Sequence, residues 1–189
     1  MVFDMGGGTL DLSILRINAG RMEVIATGGD VHLGGEDMTR ALMNVVYRKA
    51  TADANADVTT ATPQVAAAMY RECERAKIAL TQSDRVTVDV PVASGRQASV
   101  SITRRMFEKA CQRVLARCDD CVGEVLAEAG VDAADIQEVV VVGGASKTPV
   151  VRQRLSAMFG GKVSGGIAIT LAGARASHGW CGGRNCAPS

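Results

Sequence analysis

A chain of 189 residues with 47% hydrophobic side chains can bury one core of ordinary size, or form one lobe of a larger unit. Its 21 Lys and Arg against 20 Asp and Glu leave a formal charge of +1, and only 3% of its residues are aromatic. Broad electrostatic binding to nucleic acid or an anionic membrane, and a base-stacking platform, are thereby excluded. No apolar run approaches the roughly 20 residues of a membrane helix, and the start MVFDMGGGTL is no signal peptide, so the chain reads as soluble and cytoplasmic, with an organelle left open.

Residues 2–5 read as a short buried strand entering a glycine run. Leu10, Leu12 and Ile14 then alternate with polar residues, Asn18-Ala19-Gly20 supplies a turn, and Met22, Val24 and Ala26 alternate again, which predicts a β-hairpin. A second glycine cluster, Gly28-Gly29 and Gly34-Gly35, surrounds His32, read as a loop-packing residue, and precedes a helix over 36–50. Residues 51–62 predict a loop, and Pro63 opens a helix with Val65, Met69, Cys73, Ala76 and Leu80 on one face. Glu74, Lys77 and Thr81 form a separate polar edge of that helix, either a solvated face or a ligand-facing one.

A second hairpin follows, Val86, Val88, Val90 and Val92 alternating before Gly95 and Ala98, Val100 and Ile102 after it, with Pro91 at an edge. Thr103 is an N-cap for one long helix that Gly130 stops. Its apolar stripe, Phe107, Cys111, Val114, Leu115, Cys118, Val122, Val125, Leu126 and Ala129, assigns Cys111 and Cys118 to the core. Cys118 and Cys121 with Cys181 and Cys186 count to four ligands, yet without the spacing of a zinc module. Val139–Val142 reads as a strand buried on both faces, running into Gly143-Gly144-Ala145-Ser146 and a helix near Pro149. That arrangement suits either a phosphate platform or close helix-to-strand packing. After Glu138 there is no Asp or Glu, and composition breaks near residue 160.

The sharpest signal is Phe3-Asp4-Met5-Gly6-Gly7-Gly8-Thr9-Leu10-Asp11-Leu12-Ser13. Three consecutive glycines leave backbone N–H groups free to close around phosphate oxygens, and Thr9 adds a hydroxyl. Asp4 and Asp11 would repel phosphate unless a divalent cation lay between, so the pattern asks for a metal nucleotide. A glycine hairpin with two surface acids is the alternative, and no Walker motif occurs.

The order FDMGGGTLDLSIL, GGDVHLGGEDM, CERAKIALTQS, SITRRMFEKACQRVL and VVVVGGASKTPVVRQRL, within residues 1–162, closely resembles the C-terminal lobe of the actin-like ATPase domain of the 70-kDa heat-shock chaperones. The resemblance implies an α/β, ribonuclease H-like lobe with a mixed sheet, β-hairpins and packed helices. It implies ATP or ADP with Mg²⁺, a parent activity of ATP hydrolysis coupled to protein folding, and exchange factors or J-domain co-chaperones as partners. Carried over by position, Asp4 supports the metal through water, and Gly6, Gly7, Gly8 and Thr9 form a phosphate loop with Thr9 near the attacking water. Asp11 lies beside that loop, and Gly35, Glu36 and Asp37 lie near the nucleotide. Glu74, Lys77 and Thr81 hold ribose and adenine, with Ile78 apolar against the base. Gly143 and Gly144 contact adenosine, Ala145 replaces a frequent serine and Lys147 a frequent arginine.

The family's first lobe, with its own phosphate loop and catalytic lysine, is expected to be absent, and half a cradle should not support efficient hydrolysis. A non-enzymatic fragment or interaction module is one alternative. Another actin-like ATPase or kinase lobe is the other, opposed by HLGGEDM and CERAK. Residues 163–189, Gly-rich and acid-free, are expected to be a disordered or non-native tail arising from a frame shift, mis-splicing or a truncated gene model.

Overall fold

The computed structural model describes residues 1–54, 62–91 and 97–165. The chain runs β1 (Val2–Met5), β2 (Leu10–Asn18), β3 (Arg21–Asp30), α1 (Gly35–Ala54), α2 (Pro63–Ala79), β4 (Arg85–Pro91), β5 (Gln97–Thr103), α3 (Arg104–Ala110), α4 (Gln112–Ala129), β6 (Val139–Val142), a 3₁₀ turn (Ala145–Lys147), α5 (Pro149–Met158) and β7 (Val163–Gly165). Five strands make one mixed sheet in the order β3-β2-β1-β6-β7. The first three form an antiparallel meander, while β6 lies parallel to β1 and β7 parallel to β6.

Register decides which side chains meet. Phe3 stands opposite Leu12 and Val141, and Met5 opposite Leu10, so one face of the sheet carries Phe3, Met5, Leu10, Leu12, Ile14, Val139 and Val141, all buried. The helices α4 and α5 cover that face: Phe3 lines a small void with Leu115 and Val122 of α4 and Val151 and Leu155 of α5. Arg154 Nε of α5 donates to Asp119 Oδ2 of α4 at 2.7 Å, which ties the two helices together. Val2, Asp4, Asp11, Ser13, Val140 and Val142 occupy the other face, none of them buried. The Val139–Val142 run, expected to be buried on both faces, therefore alternates, because the packed helices lie on one side of it.

The first hairpin turns through Ala19 (φ 48°) and Gly20 (φ 79°), two residues in the left-handed region, as a tight antiparallel connection requires. The pairing shifts between Ile14, opposite Ala26, and Leu15, opposite Val24, leaving Ile25 as an extra residue. That bulge breaks the expected alternation: Ala26 is buried, while Met22 and Val24 are 56% and 57% exposed. The Gly28-Gly29 pair belongs to β3 rather than to a loop.

The remaining elements form a second layer. A two-stranded sheet pairs Val88 with Val100 and Val90 with Ala98, and it packs on α1, α2 and α3. Thr62 Oγ1 accepts from Val65 N at 3.3 Å and starts α2 at Pro63, as the sequence predicts. Helix α1 continues to Ala54, past the expected end at Ala50. Thr103 Oγ1 likewise accepts from Met106 N at 3.3 Å, but the single helix expected up to Gly130 is divided into α3 and α4 at Cys111. The hydrogen-bond ladder persists through the break, Cys111 N donating to Phe107 O at 3.0 Å and Leu115 N to Cys111 O at 2.9 Å. Gly130, at φ 63°, ends α4.

Strand β7 carries the sheet past the expected boundary at Lys162, pairing Val163 with Val139 and Ser164 with Val140. Lys162 Nζ secures this crossing by donating to Ala134 O and Ile136 O, both at 2.8 Å. The other expectations for the tail, including His178, Trp180, Cys181 and Cys186, fall outside the described residues, as do Val92 and Gly95. No described helix is long and apolar enough to cross a membrane.

Cys73, Cys111, Cys118 and Cys121 are free and buried. Burial pushes the thiols of Cys73, Cys111 and Cys118 up to about 12, so at pH 8 their thiolate fraction is on the order of 10⁻⁴. In the folded chain, iodoacetamide at pH 8 is expected to label these three positions far more slowly than in urea, as mapped by mass spectrometry. Equal labelling in both states would contradict their place in the core.

Candidate functional site

The glycine loop between β1 and β2 is organised by α1. Gly6 N donates to Thr9 O at 2.9 Å and closes the turn. Gly6 O and Gly7 O accept from Gly35 N at 3.0 Å and Glu36 N at 2.7 Å, two of the amides that a helix start leaves without an internal partner. Approach is so close that a Cβ on Gly34 would lie 2.6 Å from the Gly7 carbonyl carbon, so only glycine fits there. The N–H of Gly34 donates to Asp37 Oδ2 at 2.9 Å, the side-chain half of a capping box.

With the Gly6 and Gly7 carbonyls turned to α1, the amides of Gly7 and Gly8 that follow them in planar trans peptides point away from it. The amides of Gly7, Gly8 and Thr9 donate to no group among the described residues, and all three residues are exposed. Neither Gly7 nor Gly8 has a positive φ, and a Cβ built on either meets nothing within 4 Å. The protein itself therefore does not require glycine at these two positions.

Two carboxylates flank the loop. Asp4 and Asp11 are directly opposite in the β1–β2 register, on the uncovered face. Thr9 Oγ1 donates to Asp11 Oδ2 at 3.1 Å, whereas the Asp4 carboxylate has no hydrogen bond or ion pair among the described residues. Like charges directly across an antiparallel pair are destabilising, and a cation between them removes the penalty. No group of three or more His, Cys, Asp or Glu that could hold a metal occurs among the described residues. Two opposed carboxylates are a donor set that would suit an ion such as Mg²⁺, which takes one or two carboxylates and completes its shell with phosphate and water.

The opposite wall comes from the end of β6. Gly143, at φ 88°, passes over the Met5 carbonyl, and a Cβ there would lie 2.5 Å from Asp4 Oδ1. Ser146 Oγ, buried, accepts from Met5 N at 3.1 Å and fastens the turn to β1. Gly144 is exposed and its Cβ position is open. At Gly35 three elements converge: a Cβ there would stand 3.1 Å from Ala145 Cβ and 3.2 Å from Lys77 Nζ.

Lys77, expected along a ligand-facing edge of α2, turns its ammonium inward. Its Nζ donates to Gly35 O and to Thr39 Oγ1, both at 2.9 Å, and Thr39 Oγ1 donates in turn to Gly35 O at 3.0 Å. Burial lowers the Lys77 pKa and the nearby Glu74 opposes that shift, with Glu74 Oε1 3.9 Å away. The rest of the edge stays outside: Glu74 is half-exposed, Ile78 is 61% exposed, and Thr81 Oγ1 is turned back onto Ile78 O at 2.7 Å. Glu36 pairs with Arg40 at 3.3 Å, and Lys147 is exposed on the 3₁₀ turn.

The structure thus brings together Asp4, the Gly6–Thr9 loop, Asp11, Gly35, Glu36, Lys77, Gly143 and Ala145. Sequence reasoning missed Thr39, Ser146, Asp30 and Arg117. His32 is exposed rather than packed; its backbone N donates to Asp30 Oδ1 at 2.8 Å and its carbonyl accepts from Arg117 Nη2 at 3.2 Å. Of the missed residues, Thr39, Ser146 and Asp30 had a faint signal, each lying four residues or fewer from a glycine of the motifs.

The glycines divide into two kinds that denaturation can separate. Gly143→Ala is expected to lower stability by about 1–3 kcal/mol, from its positive φ and its contact with β1. Gly8→Ala and Gly144→Ala are expected to stay within about 0.5 kcal/mol of the parent or to gain up to ~1 kcal/mol. Urea midpoints decide, and equal losses at all three would mean that every one of these glycines serves the fold.

A family model described as Hsp70 protein matches residues 1–172, extending beyond Lys162. The chain is 39% identical over 159 residues to a chaperone protein HscA homolog of Bordetella pertussis, covering 84% of this chain and 25% of that one. It is 40% identical over 167 residues to the heat shock 70 kDa protein BIP3 of Oryza sativa, covering 86% of this chain and 24% of that one. Heat shock cognate 70 kDa protein 3 of Dictyostelium discoideum is 36% identical over 163 residues, with 86% and 26% covered. The chain spans about a quarter of the length of these curated relatives. The mixed sheet with its packed helices is accordingly an actin-like ATPase lobe, and the chain belongs to the Hsp70 family.

Proposed function

We propose that this chain binds ADP or ATP together with Mg²⁺ at the β1–β2 loop, as the nucleotide-binding lobe of an Hsp70-type chaperone. The observation that carries this reading is the exposed and unpaired amides of Gly7, Gly8 and Thr9, the first two on glycines that the fold does not need. Backbone N–H groups of that kind hold phosphate oxygens without a side chain between them. Asp4 and Asp11 hold the metal through water, and the metal, when bound, neutralises charge on the phosphates. In this reading Thr9 orients a water near the terminal phosphate, a role supported by the bond that its hydroxyl donates to Asp11 at 3.1 Å.

Gly144, Ala145, Lys147, Glu74, Ile78 and Thr81 form the adenosine side of the proposed site, with Ile78 offering an apolar surface to the base. Lys77 serves this site through Gly35, whose carbonyl it holds. Phosphoryl transfer depends on positioning and charge stabilisation from several directions, and these elements supply them from one side. Hydrolysis by this chain alone is therefore proposed to be slow. The coupling of hydrolysis to protein folding, and the engagement of exchange factors or J-domain co-chaperones, belong to the proposal for the parent chaperone.

Calorimetric titration of the full chain with MgADP tests the reading. Saturable binding with Kd below about 1 mM is expected, and Gly8→Val or Asp4→Asn should weaken it at least about tenfold, ~1.4 kcal/mol. Absence of heat at millimolar MgADP would leave a folded fragment without a nucleotide function.

A further inference from the structure

We infer that Arg117 of α4 is a positioning residue for the phosphate loop, acting through Asp30 and the backbone that leads into α1. This rests on the reading that the loop takes phosphate. Asp30 is the last residue of β3 and pairs in register with Leu10, the first residue after the loop. Arg117 Nη2 donates to Asp30 Oδ2 and also to His32 O at 3.2 Å. The second carboxylate oxygen of Asp30 accepts from His32 N at 2.8 Å, so one guanidinium and one carboxylate fix both ends of the bend that leaves β3.

What that bend delivers is the start of α1. Leu33 is fully buried and anchors the segment from below, and Gly35 N and Glu36 N follow at once with their hydrogen bonds to Gly6 O and Gly7 O. Residues 30–36 are therefore held from two directions: Arg117 grips the entry at Asp30 and His32, and Lys77 grips the exit at Gly35. A slip at either end moves the donors that keep the loop carbonyls turned away from the ligand side.

The fold does not need Arg117 for its core. Helix α4 packs through Val114, Leu115, Cys118, Val122 and Val125, and the Arg117 and Asp30 side chains are 48% and 26% exposed. Ion pairs at such exposure add little to global stability. Their worth here is geometric, because the guanidinium meets a carboxylate and a backbone carbonyl at once.

The experiment uses the full chain with Arg117→Gln, Arg117→Lys and Asp30→Asn. Amide hydrogen exchange, read by NMR without ligand, compares Gly35 and Glu36 with the amides of β1 and β6. Calorimetry compares MgADP with adenosine. Arg117→Gln is expected to speed exchange at Gly35 and Glu36 about tenfold while leaving the β1–β6 ladder unchanged. It should weaken MgADP about five- to tenfold with adenosine unaffected, Arg117→Lys restoring part of both effects. Unchanged exchange and affinity in Arg117→Gln would overturn the inference. So would a uniform rise in exchange with a lower urea midpoint, which marks a general structural role. Selective exchange at Gly35 and Glu36 in a chain that binds no MgADP would sustain the positioning role and remove the nucleotide reading. Should Arg117→Gln fail to fold, Asp30→Asn, which keeps the side chain's size, carries the same comparison.

Discussion

The first two amides of α1 are donated to the carbonyls of Gly6 and Gly7, and much of the molecule is arranged around that contact. A helix start leaves several N–H groups without internal partners, and each one left buried and unsatisfied costs about 1–3 kcal/mol. Here the glycine loop supplies the acceptors. The bargain works in both directions, because a loop whose carbonyls face a helix must present its remaining amides the other way. Gly34 permits the approach, the Asp37 carboxylate takes the Gly34 N–H, and the Gly35 carbonyl is braced by Lys77 from α2 and by Thr39 of α1 itself. Helix α2 thus acts on the loop through the Gly35 carbonyl that Lys77 holds.

The charges around this contact sort themselves by partner. Asp37 is engaged in capping α1 and Glu36 pairs with Arg40. Asp30 is taken by Arg117, and its carboxyl is held below the usual range first by the His32 amide and then by that guanidinium. What stays open on the loop's own strands is the Asp4 and Asp11 pair, opposed across β1 and β2. A row of unpaired amides beside two unneutralised carboxylates is a poor site for a lone anion or a lone cation. It suits a ligand that brings both signs, and a metal-bound phosphate does so.

Local patterns in the sequence were enough for the elements that depend on neighbours in the chain. Alternation marked the first hairpin and the paired β4 and β5, and Pro63, Thr103 and Gly130 marked helix ends correctly because end signals act within three or four residues. The bulge at Ile25, the break at Cys111 and strand β7 escaped, since each is set by what packs or pairs across the fold. Within the site, the glycine runs stood out, but composition could not separate Gly143, which the fold requires, from Gly144, which it does not. Lys77 shows the other limit: helical spacing locates a side chain's root, and a flexible lysine can turn its ammonium either way from there. Ser146 and Arg117 meet their partners across 141 and 87 positions, a separation over which no local pattern names the partner.

Strand topology explains why two glycine runs so far apart in the chain share one site. Strands β1 and β6 are parallel neighbours and end at the same edge of the sheet. From that edge the chain leaves β1 toward the antiparallel β2 on one side and leaves β6 toward α5 and β7 on the other. Departure in opposite directions opens a crevice beyond the carboxyl ends of the two strands, the place where open α/β sheets bind their ligands. Gly143 crosses the Met5 carbonyl and Ser146 takes the Met5 amide, so β6's exit is fastened to β1's end rather than merely near it. Asp4, one residue before that end, is carried to the crevice by the same pairing. The carboxylates, the loop amides and the Gly143–Ala145 wall therefore meet because β1 lies between one antiparallel and one parallel partner, and no single stretch of the sequence contains that fact.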